Sequence, residues 1–286
     1  MSEQPQVSVL MPVAAARDYL ASAMESVLTQ TCTNLELILI DDSGQLDDLV
    51  ARLPKNDDRA RAIASQGKGI ADALNTGIAA ARGQFICRVD CDDLIPPDRL
   101  ARQLAWLGEH PDFAAVCGSM STMTHDGRFV SDVNSAHRAG EITNELRSGT
   151  TRASLCTFLM RADAVAKTGH FRRYFITAED IDFQYRFAEL FRVWYEASLT
   201  YWYRLHDHSI THSQANVARL FFHQTAREFQ IQRQKTGQDD LMRGTPPVPP
   251  AEMSPPYNSA SAVQNLLVGA SWEKHRNGRK LAAMRL

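Results

Sequence analysis

From Val7 to Leu107 the chain alternates short apolar runs with segments of helical spacing, and nearly every run stops in a polar loop. That alternation limits the fold more than any other feature. Val7–Met11 reads as a short buried strand, and Leu20, Met24, Val27 and Leu28 follow at helical spacing. Leu35–Ile40 is a β-rich run that ends at Asp41, Asp42, Ser43 and Gly44. Ile70, Ala73, Leu74, Gly77, Ile78 and Ala81 mark a helix closed by Gly83. Phe85–Val89 is a strand that runs straight into Asp90, Cys91, Asp92 and Asp93, and Pro97 opens a helix carrying Leu100, Leu104 and Leu107. The pattern predicts an α/β fold, a mostly parallel sheet flanked by helices. Ligands of such sheets sit at the carboxyl ends of the strands, where both aspartate clusters fall.

The remainder is less regular. Phe113–Met160 is mixed and rich in Ser and Thr, Ala178–Leu190 reads as a helix that opens in acids, Arg192–Arg204 alternates like a strand, and Gln214–Gln234 reads as a long helix. Thr245–Pro256 holds six of the 12 prolines and reads as a linker or strap. Val263–Leu286 forms a further predicted helix whose end, Ala270–Leu286, carries Lys274, Arg276, Arg279, Lys280 and Arg285 against Glu273. This basic, partly apolar tail has two readings: a peripheral membrane contact, or a helix packed on the catalytic domain with a solvated end.

Composition removes several function classes. Lys and Arg number 31 against 33 Asp and Glu, a net charge of −2, so no global basic field exists to hold nucleic acid. The cysteine count of 5 is odd, no C-x-x-C pair occurs, and the chain opens MSEQPQ without an apolar leader, which predicts a reduced, cytoplasmic protein. No run approaches the ~18 uninterrupted apolar residues of a membrane span.

Chemistry concentrates in few places. Asp90, Asp92 and Asp93 repel one another at the end of a buried strand and call for a counter-charge, which Mg²⁺ or Mn²⁺ supplies when shared with a substrate's phosphates. A solvated acidic turn before the Pro97 helix is the alternative. Lys68, between Gly67 and Gly69 ahead of a helix start, suits a diphosphate or is simply a flexible loop. Glu179 and Asp180 open a helix, where acids also occur merely to favour the helix dipole. His206, His208 and His212 lack the second ligand pair that a zinc site needs.

The strings VSVLMPV, LASAMESVLTQT, LELILIDDSG and GIADALNTGIAAARGQFICRVDCDDLIPPDRL closely resemble the nucleotide-sugar domain of family 2 glycosyltransferases, of the GT-A, Rossmann-like fold. The resemblance returns at Thr177-Ala178-Glu179-Asp180 and at Tyr203-Arg204-Leu205-His206 with Ser209, and covers about two-thirds of the chain. It implies a catalytic domain over 1–212, with a nucleotide-sugar half of about 1–110 and an acceptor half of about 111–212, followed by a helical extension over 213–286 that contains the 245–256 linker. It further implies that Pro12 and Val13 wrap the nucleoside, that Asp42 or Asp41 accepts a hydrogen bond from the base, and that Lys68 meets the diphosphate. Asp90 meets the ribose or the metal's water shell, Cys91 fills the small middle position, and Asp92, with Asp90 and His206, serves a Mn²⁺ or Mg²⁺ ion. Asp180 becomes the general base of a single, inverting displacement and Glu179 its neighbour that positions the acceptor or the loop. The implied partners are a nucleotide-sugar donor, UDP-linked by family habit, and a glycan or lipid-linked acceptor in bacterial surface polysaccharide or lipopolysaccharide synthesis. Ala14-Ala15 replaces the tyrosine–asparagine pair often found after the first strand, and Q-x-x-R-W of processive members is absent, which points to one sugar per encounter. A sugar nucleotidyltransferase would require a Gly-rich loop in Met11–Asp18, which has no Gly; a nucleotide-sugar-binding module without turnover is the other alternative.

Overall fold

The computed structural model describes residues 4–14, 18–133, 137–206 and 216–250. Ala15, His208, Ser209, His212 and the basic tail Ala270–Leu286 lie outside the described residues.

Four parallel strands form the first half of the sheet: β1 (Val7–Val13), β2 (Leu35–Asp41), β3 (Ala60–Ala64) and β4 (Phe85–Arg88). Their order is β3-β2-β1-β4, with Val7 beside both Leu35 and Phe85. Helices α1 (Leu20–Leu28), α2 (Leu46–Ala51) and α3 (Ile70–Ala80) make the crossovers. The near-continuous burial of β1 and β2 is what a parallel strand covered on both faces requires. Helix α2 and strand β3 are the elements that the apolar pattern does not announce: α2 is short and only Leu49 in it is buried, while β3 is an edge strand with partly exposed residues. Because β1 leads to β2 on one side and borders β4 on the other, the strand order reverses at β1 and β4, and the carboxyl ends of such strands are where open α/β sheets bind ligands.

The sheet continues β4-β8-β5-β9-β7, through β5 (Ala115–Met123), β7 (Gly140–Glu141), β8 (Leu159–Arg161) and β9 (Val193–Arg204), with β6 (Phe129–Val133) paired to β5 off this path. Here the sheet is mixed. Strands β4 and β5 both run antiparallel to β8, whereas β5 and β9 are parallel. Thus the parallel expectation describes the half of the sheet from β1 to β4, and the later half interleaves antiparallel strands. Helices α4 (Arg99–Glu109), α5 (Thr143–Arg147), α6 (Ala162–Thr168) and α7 (Glu179–Leu190) cover it.

The last described helix, α8 (Asn216–Thr236), stands in the region read as an extension and packs against α7. Phe222, Ala226 and Phe229 of α8 meet Phe175, Ala178 and Tyr185 in a separate apolar cluster. Beside it lies a buried ion network. Asp182, fully buried, accepts from Arg172 and, at 3.0 Å, from Arg186; Asp239 accepts from Arg172 and Arg233 at 2.6 Å each; Arg233 also reaches Glu189 at 2.8 Å. This network fixes α7, and with it the start of that helix, against α8. Among the described residues no helix is long and apolar enough to cross a membrane.

Removing one member of a buried pair leaves the other charge uncompensated, at a cost of about 3–5 kcal/mol. Asp182→Ala is expected to lose stability on that scale in urea denaturation, whereas Asp163→Ala, whose exposed pair with Lys167 stands on α6, should change it by less than about 1 kcal/mol.

Candidate active site

The sequence brings acids to the sheet's carboxyl edge by two routes. The first is β4, whose last residues alternate faces: Cys87 and Val89 enter the core on one side of the sheet, and Ile86 enters the core on the other. Arg88 shares the Ile86 face, the side that α7 covers. After Val89 the chain leaves the sheet, and Asp90, Asp92 and Asp93 occupy the turn. The Asp90 N–H donates to the Tyr201 hydroxyl oxygen at 3.0 Å, and Leu94 bridges to Trp202, so β9 holds the turn in place.

The second route is α7. Ala178, the residue before it, has φ 61° and is the one positive-φ residue other than glycine among the described residues. Such a backbone costs on the order of 1–3 kcal/mol and requires support from its surroundings. Glu179, Asp180 and Asp182 fill the first turn, where the helix dipole favours negative charge. Glu179 is buried and Asp180 half-buried.

The two routes meet at Arg88. Its Nε donates to Asp90 Oδ1 at 2.6 Å, its Nη2 to Asp90 Oδ2 at 3.2 Å, and its Nη1 to Glu179 Oε1 at 3.3 Å. Although burial works against it, the charges of Asp90, Glu179 and Asp180 hold the guanidinium well above its ordinary pKa. Burial and the neighbouring Asp180 push Glu179 up to about 7, with Arg88 acting in the opposite sense. Burial, then the charges of Asp92 and Asp90, push Asp93 well above the usual carboxylate range. The Asp93 carboxylate accepts from the Arg204 N–H at 2.7 Å through Oδ1, while its Oδ2 is buried without a hydrogen-bond partner.

Asp92 faces the solvent side of this turn, and His206 Nε2 lies 2.9 Å from its Oδ2. Arg204 braces the loop from behind by donating to the Asp92 and His125 carbonyls, both at 2.8 Å. Among the described residues no three His, Cys, Asp or Glu side chains close around a metal position. The donor chemistry nonetheless fits an oxygen-seeking ion held in part by a ligand's phosphates: a carboxylate and an imidazole stand side by side, next to the buried and unpartnered Oδ2 of Asp93.

At the carboxyl end of β1, Pro12 and the buried Val13 close the strand. Asp41 is buried in an Asx turn and accepts from Ser43 N–H at 3.1 Å and Ser43 Oγ–H at 2.6 Å. Both oxygens of Asp42 accept from the N–H of Gly69, whose φ of 87° belongs to glycine, and the Lys68 N–H donates to Asp72. The N–H groups leading into α3 are therefore taken by protein carboxylates, and Lys68 itself is exposed. The structure thus brings together Asp90, Asp92, His206, Glu179 and Asp180, and leaves Lys68 on the α3 loop. Cys91 is buried, and burial raises its thiol out of reactive range. The sequence pattern marks neither Arg88 nor Tyr201, and names Arg204 only within the Tyr203–His206 resemblance, without a role. A charged residue closing an otherwise apolar strand was the available signal for Arg88.

The family model for glycosyl transferase family 2 matches residues 8–169. The chain belongs to that family. Among the relatives of this family 2 protein, the Bacillus subtilis protein EpsE, named as a glycosyltransferase, is 33% identical over 201 residues, 66% of this chain and 69% of EpsE. EpsH of the same organism is 33% identical over 129 residues, 44% of this chain and 37% of EpsH. Chondroitin synthase of Escherichia coli is 32% identical over 131 residues, 45% of this chain and only 19% of that enzyme. The family 2 chain thus spans well under half of several relatives it matches. In fold it is similar to S. aureus TarS 1–349 crystallised with UDP-GlcNAc, with a TM-score of 0.65 at 19% identity over 79% of this chain and 66% of that one. Glu179, Asp180 and His206 fall outside the 8–169 match.

The raised Glu179 has a consequence for stability. Its folded pKa of about 7 exceeds the ordinary 4.5, so folding favours the protonated form. The associated stability is present below about pH 4.5 and is lost as pH rises through about 7. Between about pH 5 and 8 the parent should lose more melting temperature than Glu179→Gln, a difference that calorimetry measures directly.

Proposed function

We propose that this protein is an inverting glycosyltransferase that moves a single sugar from a nucleoside-diphosphate sugar, UDP-linked, to a hydroxyl of a glycan or lipid-linked acceptor in bacterial surface polysaccharide synthesis. One observation carries the reading: within a family 2 chain, the D-x-D turn after β4 and the acid pair opening α7 converge on one guanidinium. The relatives' names support the setting, among them a Bacillus subtilis protein named for teichuronic acid biosynthesis and the chondroitin synthase. The UDP and UDP-GlcNAc complexes of TarS support the donor class.

In this reading Pro12, Val13, Asp41 and Asp42 border the nucleoside, and Asp90 and Cys91 shape the turn beneath the ribose. Asp92 and His206, with Asp90 nearby, would hold Mg²⁺ or Mn²⁺ together with the donor's diphosphate. Bound there, the ion supplies positive charge where the departing diphosphate gains negative charge. Asp180 is the general base: half-buried at the helix start, it takes the proton from the acceptor hydroxyl. The acceptor oxygen then bonds to the anomeric carbon as the carbon–oxygen bond to the diphosphate breaks, and the electron pair leaves with the diphosphate. Attack from the face opposite the leaving group inverts the anomeric centre. The catalytic domain over 1–212 and the extension over 213–286 complete the proposal, with α8 of the extension supporting α7.

Asp180→Asn is expected to keep UDP affinity and to lose donor turnover by at least ~10². Turnover at the parental rate would move the base elsewhere. Titration calorimetry of UDP should give tighter binding with Mn²⁺ than with chelator, and Asp92→Ala should abolish the difference. Equal affinities in the parent would remove the metal from the proposal.

A further inference from the structure

We propose that Arg88 is a positioning residue that registers the acid pair of α7 against the donor turn, so that Asp180 is presented correctly only while one guanidinium grips both sides. The inference rests on the glycosyltransferase reading and adds to it a residue that stands outside both acidic motifs.

Three observations support it. First, the contact is long-range and exclusive in geometry: Arg88 and Glu179 lie 91 positions apart, and the same guanidinium spends its Nε and Nη2 on Asp90 and its Nη1 on Glu179. A planar fork meets two carboxylates at fixed angles, which a lysine ammonium cannot imitate. Second, the alternation of β4 places Arg88 on the face that α7 covers, and the side chain is only 19% exposed, so its direction is set by packing. Third, the other contacts at the start of α7 tie it to α8 rather than to the donor turn. Ala178 turns the chain through a positive φ immediately before Glu179 and packs on Phe222 and Phe229 of α8, and the Arg172, Arg186 and Arg233 network grips Asp182. Among the described residues the Arg88 contact is the side-chain hydrogen bond that joins Glu179 to Asp90, so the register of the neighbouring Asp180 against the donor turn follows from it. The charges facing Arg88 are Asp90, Glu179 and Asp180, so it also balances the acids that the donor and acceptor sides bring together.

A displaced catalytic group of ~1 Å costs ~10²-fold in rate, while supporting contacts to a site are worth ~10–100-fold. The test is Arg88→Lys, which keeps the charge and removes the fork, measured as kcat and KM for donor turnover, UDP affinity with Mn²⁺, and melting temperature. Expected are a kcat at least ~10-fold lower, with KM and UDP affinity within ~3-fold. The further change Glu179→Gln should then lower kcat by far less than it does in the parent. Parental kcat in Arg88→Lys overturns the inference, as does a fall in kcat that only tracks loss of folded protein. A parent that neither binds UDP nor turns over donor would instead retire the glycosyltransferase reading. In that event the melting temperatures decide: Arg88→Lys and Glu179→Gln that are non-additive sustain the registration, and additive shifts overturn it.

Discussion

Like charge is the constraint on which this molecule turns. Asp90, Asp92 and Asp93 leave β4 within four residues of one another, and Glu179 and Asp180 arrive from α7 at the same edge. A folded protein tolerates this only with cations placed among the acids, and the structure uses Arg88, while Arg204 braces the turn through its backbone N–H and its donation to two carbonyls. The balance is incomplete. Burial, and after it the neighbouring acids, hold Asp93 and Glu179 above the usual carboxylate range. A site in that condition favours a ligand that arrives with its own cation, as a metal-bound diphosphate does.

The fold serves this arrangement. The order β3-β2-β1-β4 puts the D-x-D turn at the carboxyl edge where the strand order reverses, and β8, inserted antiparallel between β4 and β5, extends the sheet beneath α7. Helix α8 then backs α7 through Phe222, Ala226 and Phe229, and the Asp182 and Asp239 network locks the two together. Stability and placement are therefore one matter on α7: the residues that hold the helix also aim its first turn.

Much of this was legible in the chain. The parallel half of the sheet announces itself because parallel strands covered on both faces must be apolar throughout, which makes β1, β2 and β4 conspicuous between helices of clear period. Helix α7 is legible through its acidic opening. The opaque parts share a physical cause: they depend on contacts between residues far apart in sequence. Nothing in the local pattern says that Ala178 adopts a positive φ, that Asp42 is spent on the Gly69 N–H, or that Arg88 reaches Glu179. Strand β3 escaped notice because an edge strand carries a weak apolar signal, and the mixed half because interleaved antiparallel strands are short.

The central claim is that the acids gathered around Arg88 perform a single displacement on a nucleotide sugar. Proton NMR of the product formed from a UDP-α-sugar tests it most directly. The account predicts a product whose first-formed anomer is β. A product with retained α configuration would contradict it, because one attack opposite the leaving group cannot preserve the anomeric centre.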